Sequence, residues 1–118
     1  MSGPGPAPGA VVVTGFSSSG TGTVFRDGSQ RCVAHLGATW LGQGTYLPGW
    51  QWSEHVQPIS GNPSEAHAGY IVSGEMVVRG ADGTERVARA GEAFYAPPGH
   101  DAWVLGDEPC VALDFPVT

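Results

Sequence analysis

Apolar and polar residues alternate along this chain in short runs, and glycine or proline closes almost every run. Residues 10–14, 31–36 and 38–41 read as strands, with Gly37 breaking the second from the third, and 42–49 reads as a turn region. Residues 50–56 alternate again. As a strand they would place Trp50, Trp52 and Glu54 on one face and Gln51, Ser53 and His55 on the other. Further on, 66–72 and 75–79 flank a turn at Ser73 and Gly74, and the Asp82–Gly83 pair marks a hairpin returning through 84–90. The prolines at 97 and 98 force a turn between 93–96 and 101–105, since neither can donate to a ladder, and 110–115 is the last strand. Stretches 15–22 and 58–64 are loops. About ten short strands with no helix-period stretch predict an all-β, closed or nearly closed antiparallel β-barrel or jelly roll.

Composition supports this pattern. Only 14% of residues are charged, against 19 glycines and 10 prolines, which suits tight turns better than a helical bundle. The length allows one core, so residues 10–118 are expected to form a single domain behind a Gly/Pro-rich flexible tail at 1–9. The net charge is −6, lysine is absent, and Arg26, Arg31, Arg79, Arg86 and Arg89 are scattered. Nucleic acid and anionic membranes are therefore excluded as expected partners. There is no secretory leader or membrane-length apolar run, and Cys32 and Cys110 form no CxxC pair. A cytoplasmic protein with two reduced thiols is expected. Gly20-Thr-Gly22 has no lysine after it and is not a phosphate loop.

The chemistry rests on histidine. His35 lies in a mixed strand and reads as structural. His55, His67 and His100 each fall on a different predicted strand or strand edge. A divalent metal in a barrel mouth is held by ligands converging in this way. Taken singly, each is equally a hydrogen-bonded core residue.

From residue 48 to 115 the sequence resembles a small single-domain cupin. The second cupin motif runs from a glycine across five residues to Pro-x-Gly, and Gly91 with Pro97-Pro98-Gly99 fits it. Gly74 fits the closing glycine of the first motif. Six intervening residues back stands His67, where most cupins carry a glutamate ligand. His55 resembles the second histidine of the His-x-His pair, with Ser53 at the first and a loop inserted before His67. His100 stands two residues ahead of the motif's histidine position, Ala102, a shift that keeps the same strand face.

The resemblance implies a monocupin holding one divalent metal through His55, His67 and His100. Replacing glutamate by histidine favours Zn2+ or Fe2+, with Ni2+ or Cu2+ compatible and Mn2+ less favoured. Glu65, two residues before His67, is the candidate general base. Glu54 is expected to face away, Asp101 to form a second-shell or turn hydrogen bond, and Gln51 and Ser53 to line the pocket. Tyr70 and Tyr95 are expected in packing, and Trp50, Trp52 and Trp103 away from the ligand face. The implied function is Lewis-acid chemistry on a small organic molecule: isomerisation, cyclisation, hydrolysis or oxygenation. The alternative is a non-catalytic cupin that binds or senses a small molecule. The resemblance also implies a homodimer.

Overall fold

The structure is a computed structural model that describes residues 9–16 and 20–117; most of the expected tail, residues 1–8, lies outside them. In chain order the elements are β1 (Gly20–Val24), β2 (Gln30–His35), β3 (Trp40–Tyr46), α1 (Trp52–His55), α2 (Gln57–Ser60), β4 (His67–Ser73), β5 (Glu75–Arg79), β6 (Glu85–Arg89), β7 (Ala93–Ala96), β8 (Asp101–Val104) and β9 (Cys110–Pro116). All pairings between strands are antiparallel. They form a six-stranded sheet, β1-β2-β3-β9-β4-β7, and a three-stranded sheet, β6-β5-β8. The expected jelly-roll class is what the chain adopts.

Two devices direct the chain between sheets. Between Ile71 and Ser73 the register of β4 against β9 shifts, and Gly74, just past the strand, adopts φ 79° with the Pro109 carbonyl where a Cβ would sit. The strand run therefore leaves the large sheet at β4 and enters the small one at β5, and only glycine fits the crossing. The β5–β6 hairpin forms where Asp82–Gly83 predicted it. The Asp82 carboxylate accepts from the Thr84 N–H (3.0 Å) and hydroxyl (2.7 Å), closing an Asx turn.

The core lies between the sheets and is built from Phe25, Tyr46, Trp50, Ile71, Met76 and Val104 with small residues Ala88, Ala102, Cys110 and Ala112. Strand register explains its membership. On the large sheet, Arg31, Val33 and His35 of β2, Ala112 and Asp114 of β9, and His67, Gly69 and Ile71 of β4 alternate onto one face. Gly42 and Gly44 of β3 pair with Val33 and Arg31 on that same face.

Several expectations are corrected. Residues 10–14 are not a strand, and Val11 and Val13 lie in solvent. Residues 20–24 are a strand, and β3 continues through the supposed turn to Tyr46. Its glycines are inward positions over which other side chains lie. A Cβ at Gly44 would meet the Tyr46 ring, and one at Gly42 would meet the Asp114 carboxylate and the Arg31 guanidinium. Residues 50–56 are not a strand either. Gln51 makes a single bridge to Trp103 and the chain then coils into α1 and α2, which Gly61 ends at φ 70°. A one-turn helix is too short to leave a 3.6-residue signature.

At Gly69 the Phe94 ring of β7 occupies the place of a Cβ. Gly69→Ala should lower unfolding free energy by about 1–3 kcal/mol through overpacking. Adding Phe94→Leu should recover part of it, and urea denaturation of the two variants checks both.

Candidate functional site

A cavity of about 530 Å³ opens between the sheets. This is within the ~300–1,000 Å³ range of small-molecule sites. Its wall is largely aromatic and aliphatic, with Phe25, Trp40, Tyr46, Trp50, Trp52 and Phe94 as the large rings. Polar groups reach that wall from β2 (Arg31, His35), β4 (His67), the turn before β8 (His100) and β9 (Asp114), with Ser64 and Glu65 coming from the loop before β4.

His67 and His100 meet there, their ring centroids 4.9 Å apart. His100 is buried immediately after the Pro97–Gly99 turn, and its Nδ1 lies 2.7 Å from the Pro97 carbonyl. A carbonyl only accepts, so the proton is on Nδ1 and, in the neutral ring, Nε2 carries the free lone pair. The His67 Nδ1 lies 3.4 Å from the Glu65 carbonyl, a longer contact of the same sense. Burial pushes both imidazoles below their ordinary pKa. For His67 the Asp114 carboxylate and the Glu65 carbonyl oppose this; for His100 the Pro97 carbonyl opposes it and His67 adds to it.

Ser64 joins the two histidines' surroundings. Its buried hydroxyl donates to the His100 carbonyl (2.6 Å), and its own carbonyl accepts from the Gly99 N–H (2.9 Å). The inserted loop is thereby fastened to the turn that launches His100, and its last residues lead directly into His67.

His55 is not brought to this pair. It ends α1, where the Gln51 N–H donates to its Nδ1 at 3.0 Å, and it stands outside the cavity wall. Its placement on a strand face fails because residues 52–55 are helical. Gln51 and Ser53 also leave the pocket. The Asp101 carboxylate accepts from the Gln51 side-chain amide (2.8 Å) and from the Ser53 N–H (3.0 Å) and hydroxyl (2.8 Å), capping α1 from a distant strand. Burial would raise the Asp101 pKa, but these hydrogen bonds and the Ala102 N–H outweigh it and hold the carboxyl below its usual value. Asp101 thus faces away from His100, as expected, and spends its hydrogen bonds on the helix. Glu54 is exposed on α1, and Glu65 is exposed at the cavity rim. Trp50 and Trp52 line the cavity, against expectation, whereas Trp103 stays outside. Tyr70 and Tyr95 stand on the outer face, partly in solvent.

Sequence reasoning missed the Arg31–Asp114 ion pair (2.5 Å), whose guanidinium also lies 5.7 Å from the Trp40 ring centroid. The alternation Arg31, Val33, His35 was the available signal for the β2 half; nothing local points to Asp114. The Trp50 Nε1–H is the single buried side-chain polar atom without a hydrogen-bond partner among the described residues. Cys110 is fully buried, which pushes its thiol up to about 11, and both cysteines are free.

The donor chemistry of the pair suits a metal, since both Nδ1 atoms face carbonyls and leave Nε2 for coordination. The number does not suit the expected centre. Among the described residues no three His, Cys, Asp or Glu side chains are grouped to hold an ion. His55, His67 and His100 therefore do not form a three-ligand site in this structure.

Residues 42–116, well over half of the chain, match the cupin domain family, and the chain belongs to that family. A protein of unknown function from Vibrio parahaemolyticus superposes with a TM-score of 0.63 at 14% identity, covering 83% of this chain and 98% of its own. KdgF from a Halomonas species gives 0.58 at 24% identity, over 93% and 96%. Bacillus subtilis oxalate decarboxylase, a protein with Mn(II) centres, gives 0.51 at 25% identity, over 74% of this chain and 25% of its own. No curated protein matches the sequence. Among the described residues no helix is long and apolar enough to cross a membrane.

Because both imidazoles have lowered pKa values when folded, unfolding takes up protons below the ordinary histidine pKa of 6.5. Their contribution to stability is complete above that value and is lost as pH falls through the lowered folded values. Tm should therefore fall on going from pH 7 to 5, and His67→Gln/His100→Gln should flatten that slope. Asp101→Ala should cost about 0.5–2 kcal/mol, as loss of a helix cap does. Thermal melts across pH read all three proteins.

Proposed function

We propose that this cupin binds a small, ring-containing organic molecule in its barrel cavity, with the His67–His100 pair acting on the molecule's polar end. One observation carries the reading: two adjacent imidazoles, 4.9 Å apart, lie on the wall of a largely apolar, aromatic-walled cavity. Apolar walls supply affinity by area, and a few polar groups fix orientation. A neutral Nε2 can hold a ligand hydroxyl or accept its proton, which makes the pair a general base for isomerisation or cyclisation. Glu65 at the rim is the second candidate to move a proton. The non-catalytic alternative uses the same contacts without turnover.

Ligands that bind only the folded state raise Tm by mass action. One- and two-ring compounds at millimolar concentration should therefore stabilise the protein and quench the fluorescence of Trp50 and Trp52. If no such compound shifts Tm or fluorescence, the reading is wrong.

A divalent metal is the second reading, supported by the Nδ1–carbonyl contacts that leave both Nε2 atoms available. His67 and His100 would hold it, and it would supply Lewis acidity there. In protein loaded with Zn2+, His67→Ala and His100→Ala should lose the metal and His55→Ala should retain it. Metal content after gel filtration decides this; equal retention by all three would remove His67 and His100 from the metal reading.

A further inference from the structure

We infer that the cavity is selective for an uncharged aromatic molecule bearing O–H or N–H donors, such as a phenol or a catechol, and discriminates against carboxylates. The inference rests on the ring-binding reading above and specifies the ligand's polar end.

The cavity's charges argue against an anion. Arg31 is the one arginine on its wall among the described residues, and it is already paired with Asp114 at 2.5 Å. The guanidinium is further occupied by the Trp40 ring beneath it. A ligand carboxylate at Arg31 would have to displace Asp114 and leave that partly buried carboxylate without its partner, a costly exchange. Glu65 adds a negative charge at the rim, and the chain as a whole carries −6, so the long-range field repels anions.

The hydrogen-bonding inventory points the same way. His67 and His100 turn Nδ1 toward the carbonyls of Glu65 and Pro97, which leaves Nε2 of each neutral ring as an acceptor. The pair thus offers acceptors, and a ligand meets them with donors. With centroids 4.9 Å apart, adjacent hydroxyls on one ring can address both imidazoles. The surrounding rings supply flat apolar surfaces for an aromatic body.

The test uses the full chain, treated with chelator so that metal coordination cannot mimic the result, and three probes of similar size: catechol, its dimethyl ether veratrole, and benzoate. Titration calorimetry and tryptophan fluorescence at pH 7.5 read the affinities. Catechol should bind at least about tenfold more tightly than either other probe, the order expected for one or two lost hydrogen bonds. His67→Phe should still bind catechol but with the preference over veratrole reduced at least about threefold, since one acceptor is gone. Equal affinity for catechol and veratrole, or benzoate binding as tightly as catechol, overturns the inference while leaving a ring-binding cavity. Failure of all three probes to bind overturns the ring-binding reading itself. The comparison among probes is made on the unmodified protein, so it decides the matter even where the variant fails to fold.

Discussion

A barrel this small cannot enclose both a packed core and an open cavity unless some inward positions carry no side chain. Here those positions are Gly42, Gly44 and Gly69, on the face of the large sheet that looks into the molecule. Each glycine lets a large group lie flat on the backbone: the Arg31–Asp114 pair over Gly42, the Tyr46 ring over Gly44, the Phe94 ring over Gly69. Glycine in a strand normally weakens it through entropy and lost packing. In this sheet the loss is offset by the close approach, and the space cleared above those groups is the cavity. Gly42 and Gly44, which look like turn signals in the sequence, are therefore part of what makes room for a ligand.

The His67–His100 pairing depends on a second arrangement, centred on the start of β8. His100 and Asp101 are neighbours with opposite outlooks, as strand alternation requires. His100 faces the cavity beside His67. Asp101 faces α1 and holds Gln51 and Ser53. One residue further back, the Pro97–Gly99 turn accepts the inserted loop through Ser64. The helical segment and the loop thus converge on three consecutive residues, Gly99, His100 and Asp101. That convergence seats His67 against His100, and it leaves His55 facing its own helix instead of the cavity.

The legible part of the fold followed from period-2 alternation and from turn chemistry that is local. Asp82–Gly83, Gly91 and Pro97–Gly99 act within a few residues, so their turns were readable, and the strands between them followed. The failures share a cause. Gly42 and Gly44 read as breakers because the groups that cover them come in part from β2 and β9, distant in sequence. Residues 52–55 alternate as a strand would, but a carboxylate more than forty residues away supplies the cap that coils them. Trp50 and Trp52 accordingly turned toward the cavity, where a strand reading of 50–56 put them elsewhere.

The sequence by itself determined the class: an acidic, lysine-free, glycine- and proline-rich chain of short strands carrying cupin-like motifs at 74 and 91–99. It also nominated His55, His67 and His100, of which His67 stands at the set spacing from Gly74 and His100 directly follows the Pro97–Gly99 turn. Only the tertiary structure decided that His67 and His100 meet and that His55 does not join them. It likewise decided that Asp114 neutralises Arg31 and that six aromatic rings face one cavity. Such facts are pairings between strands far apart along the chain. They are set by sheet register and by packing across the two sheets, and no local pattern encodes either.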